Sequence, residues 1–267
     1  MSASGIERIA AAFAGSRKRA ALMPYMMGGY PDLERSRAVA EAAIASGADL
    51  IELGVPFSDP LADGPAIHAA ATAALAAGTT VDDVLALAAA LSERIAVIVM
   101  TYANTVLHPG VDRFLDRLEA TGAGGLIVPD LPLEESGEIE AQTQRRGLAL
   151  VPLIAPTTTD ARLAEIGRRA RGFLYVVSVT GTTGERSADP GALRPLIERA
   201  KAHTSVPVAL GFGISTPRQA AAAADAGADG VIVGSRLVRA AGEDGGGPAE
   251  VGRLVGEFAR ALAPAVA

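Results

Sequence analysis

Short apolar runs rich in Val, Ile, Leu and Met recur along the chain, each followed by an Ala- and Leu-rich stretch with charges on one side. The runs predict strands over residues 21–27, 48–54, 95–102, 124–129, 148–154, 172–179, 206–211 and 229–234. Between them, stretches such as 33–45 and 81–91 carry the apolar spacing of amphipathic helices. The strand runs are almost continuously apolar rather than alternating, which is the signature of parallel strands covered by helices. Eight βα units in about 250 residues, with no Pro/Ser-rich linker between them, predict a single (β/α)8 TIM barrel. The expected fold is therefore α/β, one domain over residues 1–267, with an extra amphipathic helix ahead of the first strand. By periodicity alone, an open doubly wound sheet is the rival arrangement.

The spacing of the strands says where the barrel is elaborated. Most units take about 23–30 residues, but the second takes nearly fifty and the sixth over thirty. The surplus falls in 55–77 and 180–189, both after the C-terminal end of a strand. That end is the face on which barrels carry chemistry, so these two extended loops are candidate active-site loops.

Composition then removes classes of function. The chain has no Cys, which excludes disulfides, thiolate metal sites and a Cys nucleophile. Its 24 basic and 30 acidic residues are interspersed, with a net charge of −6, so it lacks the basic footprint that nucleic acid requires. The longest apolar run, 95–111, is broken by Asn104, His108 and Pro109, and no membrane helix is expected. At the N-terminus the basic cluster follows the apolar part, the reverse of a secretory signal, which makes cytoplasmic localisation the expectation.

Two carboxylates stand out on the second unit. With a period of two, Leu50, Glu52 and Gly54 share one face of the strand, and Ile51 and Leu53 the other. If Ile51 and Leu53 pack on the helices, Glu52 points into the barrel, where apolar neighbours raise its pKa toward that of a useful general acid. The alternative is a rim glutamate paired with an Arg. Asp63 lies in the following loop, either as a second catalytic carboxylate or as an ordinary turn residue. One carboxylate on a rigid strand and one on a loop suit divided acid and base roles.

The last third carries Gly-rich turns, LGFGIST after strand seven and VIVGSRLV after strand eight, each opening a helix. Loops at these two positions often bind phosphate through backbone N–H groups and a helix N-terminus. Gly211 and Gly213 would let the backbone approach the anion, Gly234 and Ser235 would start a short extra helix, and Gly184 in the strand-six loop could close over it. Plain turn glycines are the alternative. The only lysines, Lys18 and Lys201, precede strands, so a Schiff-base lysine is lacking at the active face. His203 also precedes a strand, leaving His68 and His108, each alone in a loop; no metal site is expected. Tyr175 on strand six is a candidate catalytic phenol if it faces the barrel rather than the helices. Met100, Tyr102 and Phe212 could wall a pocket for a flat ring.

The stretches IELGVPFSDPLADGPAI, MTYAN, GGLIVPDLPLEE, YVVSVTGTTGERS, GFGIST and VIVGSRLV, in this order over nearly the whole chain, resemble the α subunits of tryptophan synthase. The resemblance implies a (β/α)8 barrel that cleaves indole-3-glycerol phosphate to indole and glyceraldehyde 3-phosphate, a lyase step of tryptophan biosynthesis. It assigns Glu52 as the acid/base glutamate, Asp63 as the loop aspartate and Tyr175 as the strand-six tyrosine. Gly184, Gly213, Gly234 and Ser235 fall on the phosphate-binding positions. It further implies a β-subunit partner in an α2β2 heterotetramer, with the loops after strands two and three facing it. Pyridoxal phosphate would belong to that partner, and this chain would need no cofactor. The chain departs from the family pattern at Met27-Gly28, where Thr-Ala is more common, at Thr105 in place of Pro and at His68 in place of Gln. Two rivals remain at this point: another phosphate-binding barrel isomerase, and a non-catalytic barrel that activates a β partner.

Overall fold

In the computed structural model, residues 3–177, 190–211, 213–242, 244 and 246–264 are described. The strands are β1 (Ala21–Met27), β2 (Leu50–Gly54), β3 (Ala96–Met100), β4 (Gly125–Ile127), β5 (Ala149–Leu150), β6 (Leu153–Ile154), β7 (Leu174–Val177), β8 (Val208–Gly211) and β9 (Gly230–Val233). All pair in parallel, in the order β5-β4-β3-β2-β1-β9-β8-β7-β6. The two ends of this order, β5 and β6, are the two halves of the fifth expected strand, interrupted at Val151-Pro152. Proline has no N–H to donate to a ladder, yet the pairing continues through its neighbours. Val151 N donates to the Leu126 carbonyl at 2.9 Å on one side, and Tyr175 N donates to the Pro152 carbonyl at 3.0 Å on the other. The sheet thus closes on itself through one divided strand, giving the expected eight-unit TIM barrel.

Among the described residues, every strand but β1 begins or ends inside the apolar run that predicted it. Flanking residues still reach the neighbouring strand: Asp49 N donates to the Leu22 carbonyl, Thr101 N to that of Ile127 and Gly124 N to that of Val97.

Alternation along the strands divides the core in two. Leu22, Ile51, Leu53, Val97, Val99, Leu174, Val176, Val231 and Val233 pack outward against the helices. Met23, Tyr25, Leu50, Ile98, Ile127, Phe173, Tyr175, Ala209 and Ile232 fill the barrel. The N-terminal helix, α1 (Gly5–Gly15), closes the floor. Ser4 and Glu7 form its capping box. Ile9 is fully buried in the interior cluster, and the Phe13 ring lies 5.8 Å from that of Phe173. Glycines at the strand entrances make room for these side chains: a Cβ on Gly124 would sit 2.8 Å from Ile9, and one on Gly230 2.9 Å from Phe13.

The remaining helices are α2 (Leu33–Ala45), α3 (Pro65–Ala76), α4 (Val81–Ser92), α5 (Ala103–Leu107), α6 (Val111–Ala120), α7 (Gly137–Arg145), α8 (Asp160–Arg169), α9 (Pro190–Lys201), α10 (Pro217–Asp225), α11 (Ser235–Ala241) and α12 (Gly247–Ala261). Among the described residues no single helix is long and apolar enough to cross a membrane. Much of the surplus after β2 is α3, begun by Pro65 in the first helical turn, where its missing N–H costs nothing. His68 is accordingly an exposed helical residue and not a loop residue as expected, and His108 is the C-cap of α5. The surplus after β7, 180–189, lies outside the described residues.

Both lysines sit at the floor, away from the strand C-termini. Lys18 pairs with Asp49 at 2.8 Å, and Asp49 also accepts the Leu22 N–H at 2.7 Å. Lys201 pairs with Asp229 at 2.7 Å, and Asp229 accepts the Val208 N–H at 2.8 Å. Each clip ties the residue ahead of one strand to the start of the previous one.

Because α1 fills the floor through a fully buried side chain, Ile9→Ala is expected to destabilise the fold by about 2–5 kcal/mol. Urea denaturation measures the loss, and a change under about 0.5 kcal/mol would show that the helix merely rests on the barrel.

Candidate active site

Glu52 is the only acidic side chain inside the described part of the barrel. It stands on β2 between Tyr25 of β1 and Ile98 of β3, its partners in register, and is 1% exposed. Its placement follows from the alternation: Ile51 and Leu53 are taken up by the helix-side core, so Glu52 must face inward. Among the described residues no Arg reaches it, and its Oε2 has no hydrogen-bond partner. Burial first, and the nearby Asp63 charge second, push its pKa up to about 8. A carboxyl with that value holds a proton at neutral pH and can give it up to a substrate.

Asp63 closes the loop between β2 and α3. Its pKa is raised to about 6 by burial, while a hydrogen bond from Tyr102 and the nearby His68 pull in the other direction. The loop ahead of it is held by short turns, with Leu61 N donating to the Asp59 carbonyl and Asp63 N to the Pro60 carbonyl. Tyr102, directly after β3, lies under this loop. It stacks on Phe57 with ring centroids 5.0 Å apart, and its hydroxyl accepts the Ala62 N–H at 3.1 Å. Tyr102 is therefore engaged with the Asp63 loop as well as standing where a pocket wall was expected.

Tyr175 faces the interior, which resolves the orientation that the sequence left open. Burial, followed by the charges of Glu52 and Asp63, raises its pKa well above the ordinary phenol value, so it stays protonated. A Cβ on Gly211 would come within 2.3 Å of the Tyr175 hydroxyl. The sequence reading gave Gly211 to the phosphate turn; the structure gives it to the phenol, which occupies the space a side chain would need. A second interior phenol escaped the sequence reading altogether. Tyr25 is buried opposite Glu52, and its hydroxyl lies over Gly54, where a Cβ would be 2.2 Å away. Its pKa is raised by burial and then by Asp63 and Glu52. In the continuously apolar run ALMPYMM nothing distinguishes Tyr25 from core filler. A signal lies in the next unit, in Gly54, two residues beyond the Glu52 that pairs with Tyr25.

Met100 is half-buried against the interior cluster, in register with Gly54 and Ile127 at the mouth. Gly213 has φ +79°, a backbone conformation that L side chains rarely adopt. Gly234 is the N-cap of the seven-residue α11, which Ser235 begins, and no side chain caps that end. Its first N–H groups are thus left to solvent or to a ligand. Gly184 and Phe212 lie outside the described residues. Among the described residues, no group of three or more His, Asp or Glu is arranged to hold a metal ion.

The sequence pattern of the family described as "Tryptophan synthase alpha chain" matches residues 12–266. The chain belongs to the tryptophan synthase alpha chain family. It is 50% identical over 232 residues to the tryptophan synthase alpha chain of Synechococcus elongatus, covering 86% of this chain and 87% of that one. Among solved structures it resembles Mycobacterium tuberculosis tryptophan synthase, with TM-score 0.89 and 41% identity, covering 98% of this chain and all of that one. It also resembles the alpha subunit of tryptophan synthase from Legionella pneumophila, with TM-score 0.87 and 34% identity, over 98% of this chain and 99% of that one. Membership brings the alpha reaction of tryptophan biosynthesis, the lyase cleavage of indole-3-glycerol phosphate. The name of the family also implies a β-subunit partner.

The buried Glu52 carboxyl has a consequence for stability. Unfolded, it titrates near the ordinary value of about 4.3; folded, at about 8. Between these values the native state holds a proton that the unfolded chain has released, so stability falls as pH rises. Glu52→Gln removes this titration, and its melting temperature is expected to gain on wild type between about pH 5 and about pH 8. A difference that stays constant over this range would mean that the Glu52 carboxyl is in water.

Proposed function

We propose that Glu52, Asp63 and the phenol of Tyr175 carry out a retro-aldol cleavage of indole-3-glycerol phosphate. The observation that carries this reading is the buried Glu52 carboxyl, its Oε2 without a hydrogen-bond partner among the described residues, within reach of the Asp63 charge. Glu52 gives its proton to C3 of the indole ring, and the ring becomes an indolenine. Asp63, ionised, accepts the ring N–H and stabilises the positive charge that develops there. The Glu52 carboxylate then takes the proton of the glycerol hydroxyl next to the ring. The bond between C3 and the glycerol carbon breaks, its electrons return to the ring, and indole and an aldehyde leave. The substrate supplies its own electron sink, so the scheme asks for neither a lysine nor a metal.

At the other end of the substrate, the phosphate would rest on the turns at Gly213 and Gly234-Ser235, with Gly184 closing over it. The uncapped N–H groups of α11 and the left-handed Gly213 support this reading. Binding energy at this remote group positions the ring against the carboxyls. Met100, Tyr102 and Phe212 would wall the ring. Tyr175, kept protonated, offers the chamber a donor that carries no charge.

We further propose that the strand C-terminal face docks a β subunit in an α2β2 assembly, and that the indole passes to pyridoxal phosphate held there. In support, Leu61 in the β2 loop is 81% exposed and Leu107 in α5 is 53% exposed, two large apolar side chains that a partner would cover.

The test is release of indole from indole-3-glycerol phosphate, with and without a β subunit; no release under either condition would end the lyase reading. Glu52→Gln and Asp63→Asn are each expected to lower the rate by at least about a hundredfold. The pH profile should be bell-shaped. Activity falls below about 6 as Asp63 gains a proton, and above about 8 as Glu52 loses the one it must donate.

A further inference from the structure

We propose that Tyr102 is a positioning residue whose hydroxyl pins the loop after β2 and so holds the Asp63 carboxylate over the barrel mouth. The proposal rests on the lyase reading for its chemical meaning and on local geometry for its evidence. Residues 57–63 join α3 to the barrel, and their internal bonds are turns that carry no information about where the loop as a whole sits. Among the described residues, the hydrogen bonds that tie this segment to another element all end on one oxygen. The Tyr102 hydroxyl accepts from Ala62 N at 3.1 Å, and the same hydroxyl favours the ionised form of the Asp63 carboxyl that follows. A phenol has one donor and acceptor capacity to spare, so it can accept from Ala62 and still offer its O–H to Asp63.

The anchor itself is rigid. Tyr102 is buried at the end of β3 and serves as N-cap of α5. The next residue, Ala103, donates its N–H to Asp130 at 2.8 Å, which fixes the turn from the β4 side. The Phe57 ring stacks on Tyr102 at an interplanar angle of 18°, holding the start of the loop to the same side chain that holds its end. The ring thus contributes packing, and the hydroxyl contributes direction. An aspartate on a loop needs that direction, because a displacement of about 1 Å can cost a hundredfold in rate.

The groups that face Asp63 are Tyr102 from the end of β3, His68 from α3, Glu52 from β2, Tyr25 from β1 and Tyr175 from β7. Asp130 stands behind Tyr102. Of these, the Tyr102 hydrogen bond is the larger of the two influences that favour the ionised form of Asp63. Its loss leaves burial less opposed, so the Asp63 pKa moves up from about 6.

Tyr102→Phe separates the two contributions, since it keeps the stack and removes only the oxygen; Tyr102→Leu removes both. For Tyr102→Phe, kcat for indole release is expected to fall roughly ten- to hundredfold, the worth of a hydrogen bond to a charged group, with KM changed far less. The acid limb of its pH profile moves to higher pH. In an Asp63→Asn background the same change costs less than about threefold, because the two residues act as one unit. Amide hydrogen exchange, read without substrate, speeds up at Ala62 in Tyr102→Phe while the barrel strands exchange as in wild type. If Tyr102→Phe keeps wild-type kcat, acid limb and loop exchange, and only Tyr102→Leu is impaired, Tyr102 is a packing residue and the proposal is overturned. A wild-type chain that releases no indole counts against the lyase reading, whereas the exchange result decides the anchoring of the loop on its own.

Discussion

Parallel strands closed into one ring leave each strand residue two choices, toward the helices or into the barrel, and closure makes that choice collectively. A slip of one residue would exchange the two sets and carry Glu52 to the helix side. The register of β2 between β1 and β3 places Glu52 inward together with Tyr25 and Ile98, and the register of β7 does the same for Tyr175. Ile9 and Phe13 pack into the far end of the barrel, below the carboxyl. The chemistry of the site depends on this arrangement, because the proton on Glu52 is held there by want of water.

The acid is also expensive to keep. A buried carboxyl without a hydrogen-bond partner on Oε2 is a group that most folds avoid. The surroundings limit the cost without abolishing it. The phenols of Tyr25 and Tyr175 remain neutral, and Asp63 sits higher and closer to solvent with a lower pKa than Glu52. Two carboxyls whose environments drive their pKa values apart, one to about 8 and one to about 6, form a pair in which one holds its proton at neutral pH and the other has released it.

Space for the phenols is taken from the backbone. Gly54 and Gly211 each lie beneath a tyrosine hydroxyl at distances no side chain would permit. Together with Gly124 and Gly230 at the floor, they show glycine used inside this barrel mainly to admit a neighbour's side chain. Among the described site glycines, only Gly213 has the positive φ that would require glycine for its own sake.

Much of this was readable in one dimension. The eight βα units, the surplus chain after the second and sixth strands, and the carboxylates Glu52 and Asp63 follow from local apolar patterning and motif spacing, which need no partner to be seen. The in-or-out orientation of Tyr175 was not readable, nor was the presence of Tyr25 beside Glu52. A strand buried on both faces is apolar at every position, so its period of two carries no sign. The division of the fifth strand at Pro152, the helical setting of His68 and the true reason for Gly211 were likewise matters of neighbours. The bond from Tyr102 to a loop forty residues earlier is the clearest case. Chemistry-bearing residues and their order are properties of the chain, but which of them meet is decided when the ring closes and every strand takes its register from the strands beside it.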